Sequence, residues 1–303
     1  MTEHQFKDKI YGFVVGSVVG NIIGHISLVA NAQTIKNVIV SPSDADKVKI
    51  QRGTWTEPTA LLLACAKKEE NSYDLRELVL NGAGTLDGHF YTDDDEFLTT
   101  VGVSDIDLEE CQHTHQPREI VVCALQSIWH HENFVENMFH VKQLGSEFHD
   151  SCDLCSAAAC VWSAILDCCF HGVRKSNILP IVHYLNVENI HLVEKAFYVD
   201  KQDYGEIFTN KPGDCVNVIR ECLYAFKHTC SFVEGMKFIA NNSMTPVISG
   251  VLFGQLAGAY YGLTDIPHSY IKDIKEKSKI NQLAKNLFDH AVATKLRLRV
   301  SIE

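Results

Sequence analysis

Positive charge is scarce in this chain. Its 27 Lys and Arg are outnumbered by 38 Asp and Glu, for a net charge of −11. That balance excludes a general affinity for nucleic acid or an anionic membrane, so a phosphate-bearing ligand would need a local pocket. The eleven cysteines lack the even count and spacing of a disulfide framework. Several sit inside apolar segments, as in Ala64-Cys65 and Ala159-Cys160, and reduced, buried thiols in a cytoplasmic compartment are the simplest reading. Neither repeats nor a low-complexity linker divide the 303 residues, so a single domain over 1–303 is expected. No histidine pair stands beside a serine or cysteine in a nucleophile motif, and His113, His115, His130 and His131 are expected on the surface or between helices.

What the chain does have is glycine in register. From Val247 to Tyr261 almost every residue is apolar or small, and Gly250, Gly254, Gly258 and Gly262 recur at a four-residue step, one per helical turn along a single face. A glycine in a helix interior costs about 1 kcal/mol relative to alanine. Four in a row therefore imply another backbone packed closely against that face. Gly12, Gly16, Gly20 and Gly24 repeat the pattern near the N-terminus, and the two ridges are expected to interdigitate as i±4 rows do. The N-terminal run also imitates a signal peptide or a membrane span, with Lys7 and Lys9 before it and Ala30-Asn31-Ala32 after it. Ser17, Asn21 and His25 interrupt it, which favours a core helix and no membrane partner.

Between the ridges, Gly53 to Thr56 read as a turn, with Thr56 or Glu57 capping a helix that Pro58 enters in its first turn. Ile120, Cys123, Ala124 and Ile128 mark one further helix, Cys155 to Gly172 a very apolar one, and Val216 to Lys227 another. A short helix is expected within 187–208, and an amphipathic, solvated one from Ile271 to Leu296. The fold class is all-α, a multi-helix domain with glycine-ridged N-terminal and C-terminal core helices.

Four segments in order carry a resemblance. IYGFVVGSVVGNIIGHI, GTWTEPTALLLACA, GDCVNVIRECLYAF with SFVEG, and the ridge ending GQLAGAYYGLTDIP resemble the ADP-ribosylglycohydrolases of the dinitrogenase-reductase-activating type. The family patterns are G-A-L-x-G-x-A-x-G-D-A-L-G, G-x-W-T-D-D-T-A, G-Y-V-V-D-T-L-E-A-A-L-W-A-F and a D-T-D-T that opens the ridge helix. The match runs over about 8–270, leaving 271–303 as a C-terminal helix and tail. The resemblance implies hydrolysis of the bond between ADP-ribose and an acceptor, with two Mg²⁺ or Mn²⁺ ions on hard oxygen ligands.

At the ligand positions the likeness fails. T-D-D falls on Thr56, Glu57 and Pro58; D-T-D-T falls on Thr245, Pro246, Val247 and Ile248; the helix-one Asp is Asn21. The window from Asn241 to Ser249 contains no Asp or Glu. One glutamate and a few neutral oxygens cannot hold two dications in octahedral geometry, so no metal cofactor is expected, with Mg²⁺ or Mn²⁺ returning only if the family site functions after all. The expected activity is binding of ADP-ribose or an ADP-ribosylated partner through Asn21, Trp55, Thr56 and Thr245, with Trp55 lining the site if it is partly exposed. The alternative is residual hydrolysis with Glu57 as general base. Asp93 and Asp94 read as an exposed acidic loop. Cys152, Cys155, Cys160, Cys168 and Cys169, with His149 and His171, read as core packing in preference to zinc.

Overall fold

The computed structural model describes residues 1–32, 41–66, 117–148, 153–181, 190–193 and 215–300, and those residues form helices and connecting loops with no strand among them. The long helices are α1 (Glu3–Ala32), α3 (Glu57–Ala66), α6 (Phe134–Phe148), α7 (Asp153–Phe170), α9 (Cys215–His228), α10 (Phe232–Asn242), α11 (Pro246–Tyr261) and α13 (Lys277–Val300). Shorter pieces fill the joints: α2 (Ala45–Val48), α4 (Arg118–Cys123), α5 (Gln126–Trp129), α8 (Lys175–Ile181) and α12 (His268–Ile271).

The two ridges meet as expected. The α1–α11 contact is the most extensive between any two described elements, and it runs antiparallel. A Cβ placed on Gly12, Gly16 or Gly20 would fall 2.2, 2.4 and 1.9 Å from the carbonyl oxygens of Gly258, Gly254 and Gly250. The register departs from the simple pairing at both ends. Gly24 faces the Pro246 carbonyl, and Gly262 (φ 87°) lies against Asp8 and ends α11 in a conformation that only glycine adopts cheaply. Lys9 Nζ donates to the carbonyls of Ala259 (3.0 Å) and Tyr260 (2.7 Å), capping the negative end of α11. Asp8 accepts from the Thr264 amide and hydroxyl.

Around this pair, α11 also packs on α7, α9 and α10, and α13 lies along α1. A helix apolar on all sides is buried on all sides, and the residues from Val251 to Ala259 are fully enclosed. Both α1 and α7 are long and apolar enough to span a membrane, yet 94% and 83% of their apolar windows are buried within the fold. The SFVEG segment starts α10 with Ser231 accepting from the Glu234 amide, while the Glu234 carboxylate accepts from the Cys230 amide.

Two boundaries differ from the sequence reading. The helix expected through Ile120–Ile128 is two pieces, α4 and α5, separated at Ala124-Leu125. The last helix starts at Lys277, not Ile271, because Glu276 takes a left-handed backbone (φ 55°) that breaks the run. Of 187–208, only 190–193 are described, and they hold a 3₁₀ turn at Ile190–Leu192. Cys155, Cys160, Cys168 and Cys169 are buried thiols along α7, and burial lifts Cys160 to about 11 and Cys168 to about 12, which keeps both protonated. Cys152, His149, Asp93, Asp94, His113 and His115 lie outside the described residues.

Candidate functional site

Two helix starts converge on one turn of α1. Asn21 of α1 pairs with Thr56, the residue before α3, while Gly24 abuts Pro246, the first residue of α11. Three residues along a helix advance it by about 4.5 Å. The N-termini of α3 and α11 therefore sit on neighbouring faces of the same turn, and the positive ends of both helix dipoles point into one locality.

The Gly-x-Trp-Thr strap brings Thr56 there. Gly53 (φ 75°) takes a left-handed turn so close to Asp273 that an added Cβ would fall 1.7 Å from that carbonyl oxygen. Its own carbonyl accepts from the Lys275 amide (3.1 Å), and Trp55 Nε1 donates to the Lys275 carbonyl (3.2 Å). Trp55 is 1% exposed. The condition under which it would line a ligand site is thus not met: its ring anchors the strap to the segment before α13, with its N–H satisfied in the core.

Asn21, wholly buried, uses its carboxamide on a single partner among the described residues. The Thr56 amide donates to Oδ1 (2.6 Å), Nδ2 donates to Thr56 Oγ1 (2.9 Å), and that hydroxyl lies 3.2 Å from Oδ1. Thr56 does not cap α3 through its side chain. Its carbonyl opens the helical ladder, accepting from the amides of Thr59 and Ala60, and its hydroxyl turns toward α1. Glu57 begins α3 and Pro58 follows, half-buried; the Glu57 side chain lies outside the described part of the structure.

At the start of α11, Thr245 is half-buried, its Oγ1 lies 3.3 Å from Ser249 Oγ, and Val247 and Ile248 occupy the first turn, partly exposed. The residue that dominates this end is one the sequence reading passed over. Glu221, from α9, is 3% exposed, and its Oε2 accepts from Ser243 Oγ (2.5 Å) and Ser249 Oγ (2.7 Å). A hydrogen bond from the Met244 amide also favours the carboxylate, but burial is the largest influence and raises its pKa above the ordinary value. The Thr245 amide donates to Ser243 Oγ (3.0 Å), and the Ser243 amide to the Ile239 carbonyl (2.9 Å). The amides of Ser243, Met244 and Thr245, in the loop before α11, are thus occupied within the protein. His25, one turn beyond Asn21, is also buried, and desolvation lowers its pKa to about 4, so the imidazole is neutral at pH 7.

These donors do not fit a pair of dications. Among the described side chains, the family's ligand positions supply a carboxamide committed to Thr56, two hydroxyls and apolar groups; Glu57, whose side chain lies outside the described part, adds one carboxylate, and the nearby carboxylate of Glu221 is engaged by two serines.

The raised pKa of Glu221 gives a stability signature. Between the unfolded value near 4.5 and the higher native one, the folded chain holds a proton that the unfolded chain has lost. This group's contribution to stability therefore falls as pH rises through that window. Urea midpoints from about pH 4.5 to 7.5 should show this slope in the wild type, and Glu221→Gln should flatten it. An unchanged slope in the variant would place the titration elsewhere.

The comparisons with known proteins agree with this architecture. The sequence profile of the ADP-ribosylglycohydrolase family matches residues 2–296, nearly the whole chain. The protein belongs to the ADP-ribosylglycohydrolase family. Among solved structures, one described as an "ADP-ribosylglycohydrolase-related protein complex" is similar to it, with a TM-score of 0.68 at 17% identity over 95% of this chain and 99% of that one. At that identity the likeness speaks for the fold. No curated protein matches the sequence significantly.

Proposed function

We propose that this chain binds ADP-ribose, free or carried on a protein, where α3 and α11 begin beside α1, and that it does so without the dinuclear metal centre of its family. The observation that carries the reading is the Asn21–Thr56 pair. Three mutual contacts satisfy with neutral groups a position that the family fills with a carboxylate, so charge neutralisation by a dication is not called for there. Two helix N-termini at one turn of α1 favour an anionic group such as a pyrophosphate. Thr56 and Thr245, at those two helix starts, offer hydroxyls for orienting it. A cytoplasmic setting, argued from the buried thiols, belongs to the same proposal.

Calorimetry of the purified protein with ADP-ribose, once with excess Mg²⁺ and once with EDTA, tests it. Equal affinity in both is expected. Binding that needs Mg²⁺ would overturn the metal-free reading, and no binding in either would overturn the choice of ligand. Single-turnover hydrolysis assays of the wild type and Glu57→Gln separate a binder from a slow hydrolase. A glutamate base working without metals supplies only about 10²–10⁴-fold, so any such activity would be slow, chelator-insensitive and lost in the variant.

A further inference from the structure

The far end of α1 carries a second cluster that the family site does not involve. Phe6 stacks on His131 with ring centroids 4.3 Å apart. Fifteen residues of helix, about 22 Å, separate Phe6 from Asn21. His131 follows α5, while Asp167 and His171 lie four residues apart at the end of α7 and therefore share a face. One donor atom from each of His131, Asp167 and His171 lies within 4.8 Å of the others.

Three observations make this more than a chance gathering. First, His171 Nδ1 lies 2.9 Å from the Asp167 carbonyl oxygen and 3.4 Å from Asp167 Oδ2. An Nδ1–H donated to that carbonyl fixes the tautomer and leaves the Nε2 lone pair for a ligand, an outer-shell arrangement common at histidine–metal sites. Second, Asp167 and His131 are 7% and 5% exposed, yet among the described residues Asp167 Oδ1 and His131 Nδ1 are buried with no hydrogen-bond partner, a cost that a coordinating ion would remove. Third, the cluster lies at the carbonyl end of an 18-residue helix, where the dipole favours a cation. His171 is half-exposed and also lines a cavity of about 430 Å³ with Gln5, Asp8, Lys9 and Tyr261, so one member of the cluster is in reach of solvent.

We propose that His131, Asp167 and His171 bind one late first-row divalent metal ion, of the Zn²⁺ type. Two imidazoles and one carboxylate suit Zn²⁺ and exclude Mg²⁺, which prefers all-oxygen octahedra. Metal–ligand bonds of about 2.0–2.1 Å put tetrahedral donors about 3.3 Å apart; the donors now lie within 4.8 Å of one another, and the His131 and His171 rings, packed at 4.3 Å between centroids and 32° between planes, turn out of that stack for both lone pairs to meet one ion. A similar group, His130, Glu136 and His140, is the poorer candidate. Glu136 is exposed and already accepts from Asn133 Nδ2 (3.0 Å).

Co²⁺ titration of the full-length, chelator-stripped, reduced protein tests the site, because cobalt reports its ligands. The expected result is one equivalent bound with visible ligand-field bands and without the near-ultraviolet charge transfer that thiolate ligation gives, and displacement by Zn²⁺. His171→Ala and Asp167→Asn should each weaken binding by about 100-fold or more, exceeding the 10–100-fold of an outer-shell change, while His140→Ala should leave it intact. Two separate variants keep the test alive if one folds poorly. Absence of Co²⁺ and Zn²⁺ binding, a thiolate band, unchanged affinity in both site variants, or loss in His140→Ala would each overturn the assignment. None of these outcomes bears on ADP-ribose binding at the other end of α1.

Discussion

Gly20→Ala and Gly254→Ala should each lower stability by about 3 kcal/mol, the upper end of the overpacking range, and the double variant should fail to fold. The sign is what makes the experiment informative. In an isolated helix, Gly→Ala stabilises by up to about 1 kcal/mol, so propensity predicts a gain. Here the new methyl groups would lie 1.9 Å from the Gly250 carbonyl oxygen and 2.0 Å from that of Gly16. Those atoms belong to backbone and cannot rotate aside as a side-chain tip would. Relief requires α1 and α11 to move apart along their whole interface, which loosens the packing of Phe13, Val251 and Phe253 in the core. Gly172→Ala is the control. Its φ of 73° carries a cost of about 1–2 kcal/mol, but the added Cβ would meet only Met1 Sδ at 4.0 Å. Urea denaturation followed by circular dichroism should rank the ridge variants well below the control; losses under about 1 kcal/mol at both ridge positions would mean that the two backbones do not approach so closely in solution.

That interface was legible in the sequence because its signal is local: a four-residue glycine period needs no knowledge of the partner to announce that a partner exists. The likeness in GTWTEP was equally visible, but its meaning was divided. Gly53 and Trp55 turn out to hold the strap to residues 273–275, and only Thr56 reaches α1. Whether a tryptophan is buried is decided by segments some 220 residues away, so sequence spacing could not separate an anchor from a ligand-facing ring. Glu221 was missed for the same reason. It serves Ser243 and Ser249 from another helix, 22 and 28 residues earlier in the chain, outside the window 241–249 that opens the ridge helix. The His131 cluster had one readable trace, the i, i+4 spacing of Asp167 and His171, but the contribution from α5 exists only once the helices pack.

Asn21→Asp should destabilise the protein by about 2–4 kcal/mol at pH 7, the cost of burying a charge with too few partners. The substitution nearly preserves shape and restores the residue that the family carries at this place. It keeps two donors, the Thr56 amide and hydroxyl, but loses the Nδ2–H bond to Thr56 Oγ1 and introduces a negative charge at a position with no solvent exposure. The N-terminus of α3 offsets only about 0.3–1 kcal/mol of that. Burial raises the native pKa of such a carboxyl above its unfolded value, so the penalty is full above the native pKa and disappears as pH falls through it toward the unfolded one. The variant should therefore regain wild-type thermal stability on acidification relative to the wild type at the same pH. Magnesium supplies the opposing test. With a functioning dinuclear centre, the restored carboxylate would find its cation, and millimolar Mg²⁺ would raise the melting temperature of the variant at pH 7. With a single glutamate, Glu57, and otherwise neutral oxygens at the ligand positions, Mg²⁺ should change nothing, and recovery should follow protons alone. Rescue by Mg²⁺ without acid would show that the missing ligands come from elsewhere in the chain and would overturn the metal-free reading at its root.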